Sequence, residues 1–351
     1  MLTVGLDVHQ SRSSVCVLDA RGNILKQHEV KGDYAALAES LAQLRAARGP
    51  FQVCYEASTG YGALHQKLAP LAARVTVAHP GKLRLIFQSS KKHNRADAQK
   101  IAVLMHLNQV PAVHVPSQDV RSWRGLIEHR GHLVNRNVAV KNQIRALLRT
   151  QGLRGLPGER QWTKAGLAWL EKAPWPTALE TLRLTVLLGQ LADLGGQIQR
   201  VTAALDQRAA AHAGVRLLQT IPGVGPRTAE AFVAYVDDPR RFRAGTIGAY
   251  FGLVPREDST GNHRHLGHIT REGPATVRKL LTEACWSGMA HSRRIREVYQ
   301  RVGQGQKGRR KLAAVATAHW LCRVMLAMLK TGEVFREAPD APEATASEPT
   351  Q

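Results

Sequence analysis

The chain has 351 residues, with 49 Lys and Arg against 27 Asp and Glu, a formal net charge of +22 and a sequence pI of about 10.6. That length accommodates two or three domains with real cores, and so large a positive excess points to a polyanion, because each phosphate neutralised by Lys or Arg releases counterions. No run of 18 apolar residues occurs, and the start Met-Leu-Thr-Val-Gly-Leu-Asp has no signal-peptide pattern, so membrane and secreted classes are excluded and a cytoplasmic protein is expected.

In chain order, residues 2–8, 13–19 and 23–30 read as three strands with tight polar turns, hence an antiparallel meander. Residues 33–48 carry Leu37, Leu41 and Leu44 at helical spacing. A strand at 51–55, a helix near 61–70, a strand at 73–78 and helices near 81–88 and 95–107 follow. Hairpin-linked strands followed by helix-linked ones predict a mixed sheet with covered faces, the layout of an RNase H-like domain. Cys16, Cys54, Cys285 and Cys322 form no CxxC pair and read as buried apolar residues, neither a disulfide frame nor a zinc site.

Residues 119–150 form a long helical pattern with an apolar stripe (Leu126, Ile127, Val134, Val138, Ile144, Leu147, Leu148) and a basic series: Arg121, Arg124, Arg130, Arg136, Lys141, Arg145 and Arg149. Within 120–150 the single acid is Glu128, which favours contact with a nucleic-acid backbone over a merely solvated face. Residues 152–176 read as a Gly- and Pro-broken connector with a short helix. Residues 177–210 form a second long helix, whose Leu-rich stripe pairs either with the first long helix or with another protomer in a coiled coil.

From 214 on the pattern is mostly helical. Ile221-Pro-Gly-Val-Gly-Pro resembles the turn of a helix-hairpin-helix element, whose glycines let backbone amides approach phosphate; a plain tight turn is the alternative. Helices are expected at 276–289 and 312–330, the latter as core, with a basic loop at 303–311 that includes Lys307, Arg309, Arg310 and Lys311. The Pro/Ala/acidic composition of 337–351 predicts a disordered tail. The domain boundaries expected are 1–118, 119–213, 214–336 and 337–351.

Two places carry chemistry. Asp7 and Glu56 close strands, and Asp97 opens a helix with Asn94 one turn before it. Oxygen ligands gathered in this way hold Mg²⁺ against a phosphodiester. The second place is 252–273, where Arg256, His263, Arg264, His265, His268 and Arg271 surround Ser259 and Thr260. A hydroxyl among cations in a Gly-rich stretch suits attack on phosphorus. No Cys or acid completes a zinc set with its histidines.

Val-Gly-Leu-Asp-Val-His, Tyr-Glu-Ala-Ser-Thr-Gly-Tyr-Gly, Lys-Lys-x-x-x-x-Asp-Ala, Ile-Pro-Gly-Val-Gly-Pro-x-Thr-Ala and Gly-Leu-Val-Pro-Arg-Glu-x-Ser-Thr-Gly with Leu-Gly-His-Ile-Thr together resemble the DEDD transposases of bacterial insertion sequences, the bridge-RNA-guided recombinases. The resemblance runs from about residue 2 to 330. It implies a RuvC-like N-terminal domain, a coiled-coil middle and a C-terminal transposase domain, in a nucleoid-associated bacterial protein. It also implies Mg²⁺ at Asp7, Glu56, Asn94 and Asp97, and Ser259 as the nucleophile joined to DNA, with Thr260 the alternative. Its partners would be donor and target DNA, a non-coding bridge RNA that selects both, and further copies of the chain, as a dimer or tetramer with composite sites. The family position held here by Asn94 is an acid. Three accounts of the amide stand open: a natural variant, an inactivating change, or a ligand supplied elsewhere. The competing functions are a RuvC-like nuclease or junction resolvase, which needs no serine, and a nucleic-acid-binding form silenced at Asn94.

Overall fold

The computed structural model describes residues 1–86, 94–155, 158–257 and 265–337. The chain divides into two compact units, Met1–Arg121 and Ser122–Gln351.

The first unit is built on a five-stranded mixed sheet in the order β3-β2-β1-β4-β5. Strands β1 (Leu2–Val8), β2 (Arg12–Leu18) and β3 (Ile24–Lys31) pair antiparallel through short turns. Helix α1 (Tyr34–Arg48) then carries the chain over to β4 (Phe51–Glu56), which lies parallel to β1, and α2 (Tyr61–Leu68) leads to β5 (Arg74–Ala78), parallel to β4. Asp33 starts α1 by accepting from the amides of Ala35 and Ala36. Helices α3 (Pro80–Ile86) and α4 (Asn94–His106) complete the unit. The mixed sheet expected from sequence is present, with strand limits within about two residues of those read.

Strand alternation sorts the core into two layers. Val4 and Leu6, with Phe51, Val53 and Tyr55, meet Leu37 and Leu41 of α1 and Leu64 and Leu68 of α2. On the opposite face Cys54 packs with Ile101, Leu104 and Met105, and Cys16 and Leu18 pack with Ala98 and Ala102, all from α4. Gly5 lies on this second face. A Cβ there would stand 2.1 Å from the Ala98 carbonyl oxygen and 2.5 Å from the Ala102 nitrogen, so only glycine lets α4 lie this close to β1.

The second unit is mostly helical. Helix α5 (Gln118–Thr150) runs into it from the last residues of the first, and α6 (Lys164–Lys172) fills the expected connector. Helix α7 (Ala178–Ala211) lays Leu184, Leu187 and Leu194 against Leu133, Val140, Ile144, Leu147 and Leu148 of α5, so the two long helices do pair within one chain. Leu179, Leu182 and Val186 remain exposed on α7. Beyond them Leu205 and Ala209 enter a core shared with α8 (Ala213–Leu218), α9 (Pro226–Val236), α10 (Ile247–Tyr250), α11 (Ala275–His291), α12 (Arg293–Gly303) and α13 (Arg310–Thr331).

Helix α13, with the turn before it, is the one helix among the described residues long and apolar enough to cross a membrane by composition, but Ala318, Leu321, Cys322, Met325 and Leu326 are buried in this core, as expected for a core helix. The four cysteines are buried and unpaired; burial pushes the thiols of Cys54, Cys285 and Cys322 up to about 12.

Two expectations are corrected. The basic stretch 303–311 is not a plain loop: α12 ends at Gly303, a helical turn occupies Lys307–Arg309, and α13 begins at Arg310, because Gln304 and Gly305 in left-handed backbone bring the helices directly together. The segment 252–273 is not a Gly-flexible loop throughout either. Its ends pair as strands β6 (Pro255–Glu257) and β7 (Leu266–Ile269). The tail from 338 on lies outside the described residues.

Candidate active-site elements

Strand register places the acids. Leu6 pairs with Tyr55 across the parallel β1–β4 ladder, so Asp7 and Glu56 follow side by side at the carboxyl ends of the two strands. Both alternate onto the face that carries Gly5 and Cys54, the face covered by α4. Asp97 sits in the first turn of α4, where a carboxylate suits the helix dipole, and immediately precedes Ala98, whose carbonyl packs on Gly5. Glycine at position 5 is thus what brings the Asp97 end of α4 down onto the acid-bearing strand ends. Asn94 is the first residue of α4, one turn from Asp97; its side chain lies outside the described set.

Nitrogen-bearing side chains attend two of these acids. His9 Nε2 lies 3.3 Å from Asp7 Oδ2, and Lys100 Nζ lies 3.2 Å from Asp97 Oδ1. Glu56 is exposed. Among the described residues, no group of three or more His, Cys, Asp or Glu side chains is close enough to hold a metal ion as placed. The donors fit a hard divalent ion in kind, being carboxylates with an amide in sequence beside them and no thiol.

The hydroxyl-bearing segment is the connection of the β6–β7 hairpin. Ser259, Thr260, His263 and Arg264 lie outside the described residues, but both ends of the hairpin are described. Its base is pinched shut. Gly252 and Gly273 adopt left-handed backbone, and a Cβ on them would fall 2.4 Å from the Glu272 oxygen and 2.0 Å from the Tyr250 oxygen. Thr270 donates to the Val254 carbonyl at 2.9 Å, and Arg278 Nη1 reaches the Phe251 and Glu272 carbonyls at 3.0 and 2.8 Å, tying both sides of the stem. Arg256, His265, His268 and Arg271 are exposed along it.

The basic series on α5 separates by partner. Arg121 donates to the Pro116 carbonyl and to Gln118, both at 2.6 Å. Arg124 donates to the Ala234 and Tyr235 carbonyls and lies over the Tyr235 ring, and Arg130 donates to the Thr202 hydroxyl at 2.8 Å. These three are tied into the fold. Lys141 and Arg145 lie over the Trp162 ring, each 5.2 Å from its centroid, while Arg136 and Arg149 are exposed. Lys307, Arg310 and Lys311 are exposed at the α12–α13 junction, and Arg309 is hydrogen-bonded to Gln304.

Sequence reading missed four features. Helix α12 turns Ile295 and Val298 inward at a spacing of three and sets Arg293, Arg296 and Arg301 outward, a signal present in the sequence. Beside it, Arg294 stacks over Trp320 and lines a cavity of about 520 Å³ with Arg301. Glu230 is buried on α9, 3.2 Å from Arg227, which also pairs with Asp206; burial pushes the Glu230 carboxyl up to about 7 against the pull of Arg227 and Arg130. Gly223 of the Pro-Gly-Val-Gly turn is held against α11, since a Cβ there would lie 2.3 Å from the Gly288 nitrogen.

Comparison with known proteins agrees in both units. The model described as "Transposase IS116/IS110/IS902 family" matches residues 215–300, and an IS110-type DEDD model, described as "Transposase", matches residues 4–151. The chain is 27% identical to a "Probable family 20 transposase" of Pseudomonas aeruginosa over 345 residues, covering 95% of this chain and 98% of that one. It is 25% identical to the "Transposase for insertion sequence element IS1111A" of Coxiella burnetii over 356 residues, 95% of this chain and 91% of that one. Among solved structures, RuvC of Thermus thermophilus aligns over its whole length with 32% of this chain, at 13% identity and a TM-score of 0.26.

Proposed function

Because the chain belongs to the IS116/IS110/IS902 transposase family, we propose that it cuts and rejoins the DNA of a bacterial insertion sequence by serine attack on the phosphodiester, with a bridge RNA choosing donor and target. The observation that carries this reading is the pairing of two elements in one chain. Asp7 and Glu56 share one sheet face at the strand ends, and Asp97 lies in the first turn of α4, the helix on that face, in the strand order of an RNase H-like domain. A separate, clamped hairpin carries Ser259. An acid-bearing domain of this type suffices for a nuclease; a tied hairpin whose connecting sequence includes Ser259 adds what a recombinase needs.

In this reading Asp7, Glu56, Asn94 and Asp97 hold Mg²⁺, which when bound would polarise the scissile phosphate and stabilise charge on the leaving oxygen. The Ser259 hydroxyl oxygen forms a bond to phosphorus while the bond from phosphorus to a deoxyribose oxygen breaks. The serine proton passes to water, and the freed deoxyribose oxygen takes one up. Arg256, His265 and Arg271 on the hairpin offset the negative charge on the phosphate. A deoxyribose hydroxyl of the incoming strand then attacks the phosphoserine ester and releases the serine. Acids and serine from different protomers would form a composite site, which requires at least a dimer. Arg136, Arg149, Lys307, Arg310 and Lys311 supply exposed charge for the nucleic-acid backbones.

The test is to incubate the protein with element RNA, DNA and Mg²⁺ and to look for a covalent protein–DNA adduct. An adduct lost in Ser259→Ala and kept in Thr260→Val is expected. Cleavage that survives Ser259→Ala without any adduct establishes a RuvC-like nuclease instead. Absence of both until Asn94→Asp is made identifies a silenced binding form.

A further inference from the structure

Glu128, the single acid within residues 120–150 of the basic helix α5, is bonded through both its oxygens. Tyr235 Oη donates to Oε1 at 2.6 Å and Thr276 Oγ1 donates to Oε2 at 2.8 Å. These two hydroxyls belong to α9 and to the first turn of α11.

Each begins a route to the base of the β6–β7 hairpin. Along the first, Thr276 lies three residues after Gly273, the residue that closes the stem against the Tyr250 carbonyl. Along the second, the Tyr235 carbonyl accepts from Tyr250 Oη at 3.1 Å, and Tyr250 leads back to the same contact with Gly273. Arg124, one helical turn before Glu128, fixes the Tyr235 end by donating to the Ala234 and Tyr235 carbonyls. The two routes leave one carboxylate and meet at the Tyr250–Gly273 contact, so they form a closed bracket around the stem. A closed bracket fixes tilt as well as attachment, and a reacting oxygen needs both. Burial, together with the hydrogen bond to Glu128, holds the Tyr235 phenol above its ordinary range, which favours its role as the donor in this pair.

We propose that Glu128 is a positioning residue for the hairpin that carries Ser259 and Thr260. It touches no reacting atom; it acts through Thr276 and Tyr235 on the stem. The proposal rests on the serine reading above, and the experiment separates the two.

Adduct formation is followed in single turnover at saturating DNA, RNA and Mg²⁺, alongside DNA affinity and thermal stability, for Glu128→Ala, Glu128→Gln, Thr276→Val and Tyr235→Phe. Glu128→Ala is expected to slow the saturated rate at least tenfold and to change DNA affinity less than twofold. Glu128→Gln restores most of the rate, because an amide oxygen accepts from Tyr235 and the amide nitrogen donates to Thr276. Thr276→Val, a near-isosteric change, carries the test if Glu128→Ala unfolds. Loss of adduct in Ser259→Ala together with wild-type rates in Glu128→Ala and Thr276→Val overturns the positioning role alone, as does a rate that falls only in step with affinity and stability. No adduct from the wild type, or an adduct that persists in Ser259→Ala, overturns the serine reading. In that event amide hydrogen exchange at Thr270 and Arg271 decides on Glu128: faster exchange in Glu128→Ala upholds the bracket, and unchanged exchange overturns it.

Discussion

Asp7 and Glu56 lie side by side near the ends of neighbouring parallel strands, one step beyond the Leu6–Tyr55 pair, on the face where Gly5 admits the backbone of α4. Their relation to Asp97 therefore depends on a missing side chain. Gly5→Ala would put a methyl 2.1 Å from the Ala98 oxygen and lift the Asp97 end of the helix. Overpacking against backbone is expected to cost about 3 kcal/mol or more. Mg²⁺-dependent DNA cleavage should fall further than the loss of folded protein explains. Denaturant unfolding and cleavage assayed on one preparation check this.

Asn94 stands one turn before Asp97 on α4, and under the proposed metal role an amide offers an oxygen but no charge. A carboxylate there strengthens the hold on a divalent ion. Asn94→Asp is expected to lower the Mg²⁺ concentration that half-saturates cleavage by roughly tenfold, equivalent to about 1.4 kcal/mol. A Mg²⁺ titration of wild type and variant reads this directly, and an unchanged midpoint removes residue 94 from the ligand set.

Glu230 makes stability depend on pH in a defined direction. Its carboxyl lies near 7 in the folded protein against 4.5 when unperturbed, so the folded state binds more protons between those values. Stability must fall as pH rises through that window and level off above about 7, by no more than about 3 kcal/mol. His212 and the half-buried His319, both held below their ordinary value by partial desolvation, act oppositely by costing stability on acidification. Comparison with Glu230→Gln isolates the carboxyl: the variant should gain on the wild type between pH 5 and pH 8 in urea unfolding.

The sheet and the two long helices were legible in the sequence because their cues are local. Val4 and Leu6 alternate with Gly5 and Asp7, and Leu184, Leu187 and Leu194 repeat at helical spacing. The β6–β7 hairpin was not legible, since Pro255-Arg-Glu and Leu266-Gly-His-Ile are short and mostly exposed, and what joins them is a stem clamped by Arg278 from α11. Glu128 was visible only as an exception to a basic run. Its partners Tyr235 and Thr276 lie 107 and 148 residues away, and no window of sequence relates them. Arg124 and Arg130 read as backbone-binding charges from composition, although the fold uses their guanidinium groups internally.

The Pro-Gly-Val-Gly turn separates structural from phosphate-facing glycine. Gly223 has left-handed backbone and sits so close to α11 that a Cβ would fall 2.3 Å from the Gly288 nitrogen and 2.8 Å from the Ala284 oxygen. Gly225 starts α9 in ordinary extended backbone, with nothing within 4 Å of a Cβ. Gly223→Ala is therefore expected to destabilise the second unit by several times the ~1 kcal/mol at most expected for Gly225→Ala as a cap change. If the turn brings its amides onto a phosphate, the methyl of Gly225→Ala stands in the way, and DNA affinity should drop with little change in melting temperature. Paired measurements of melting and of DNA binding at two salt concentrations check both. Equal affinity in wild type and Gly225→Ala would leave the turn a purely structural joint between α8 and α9.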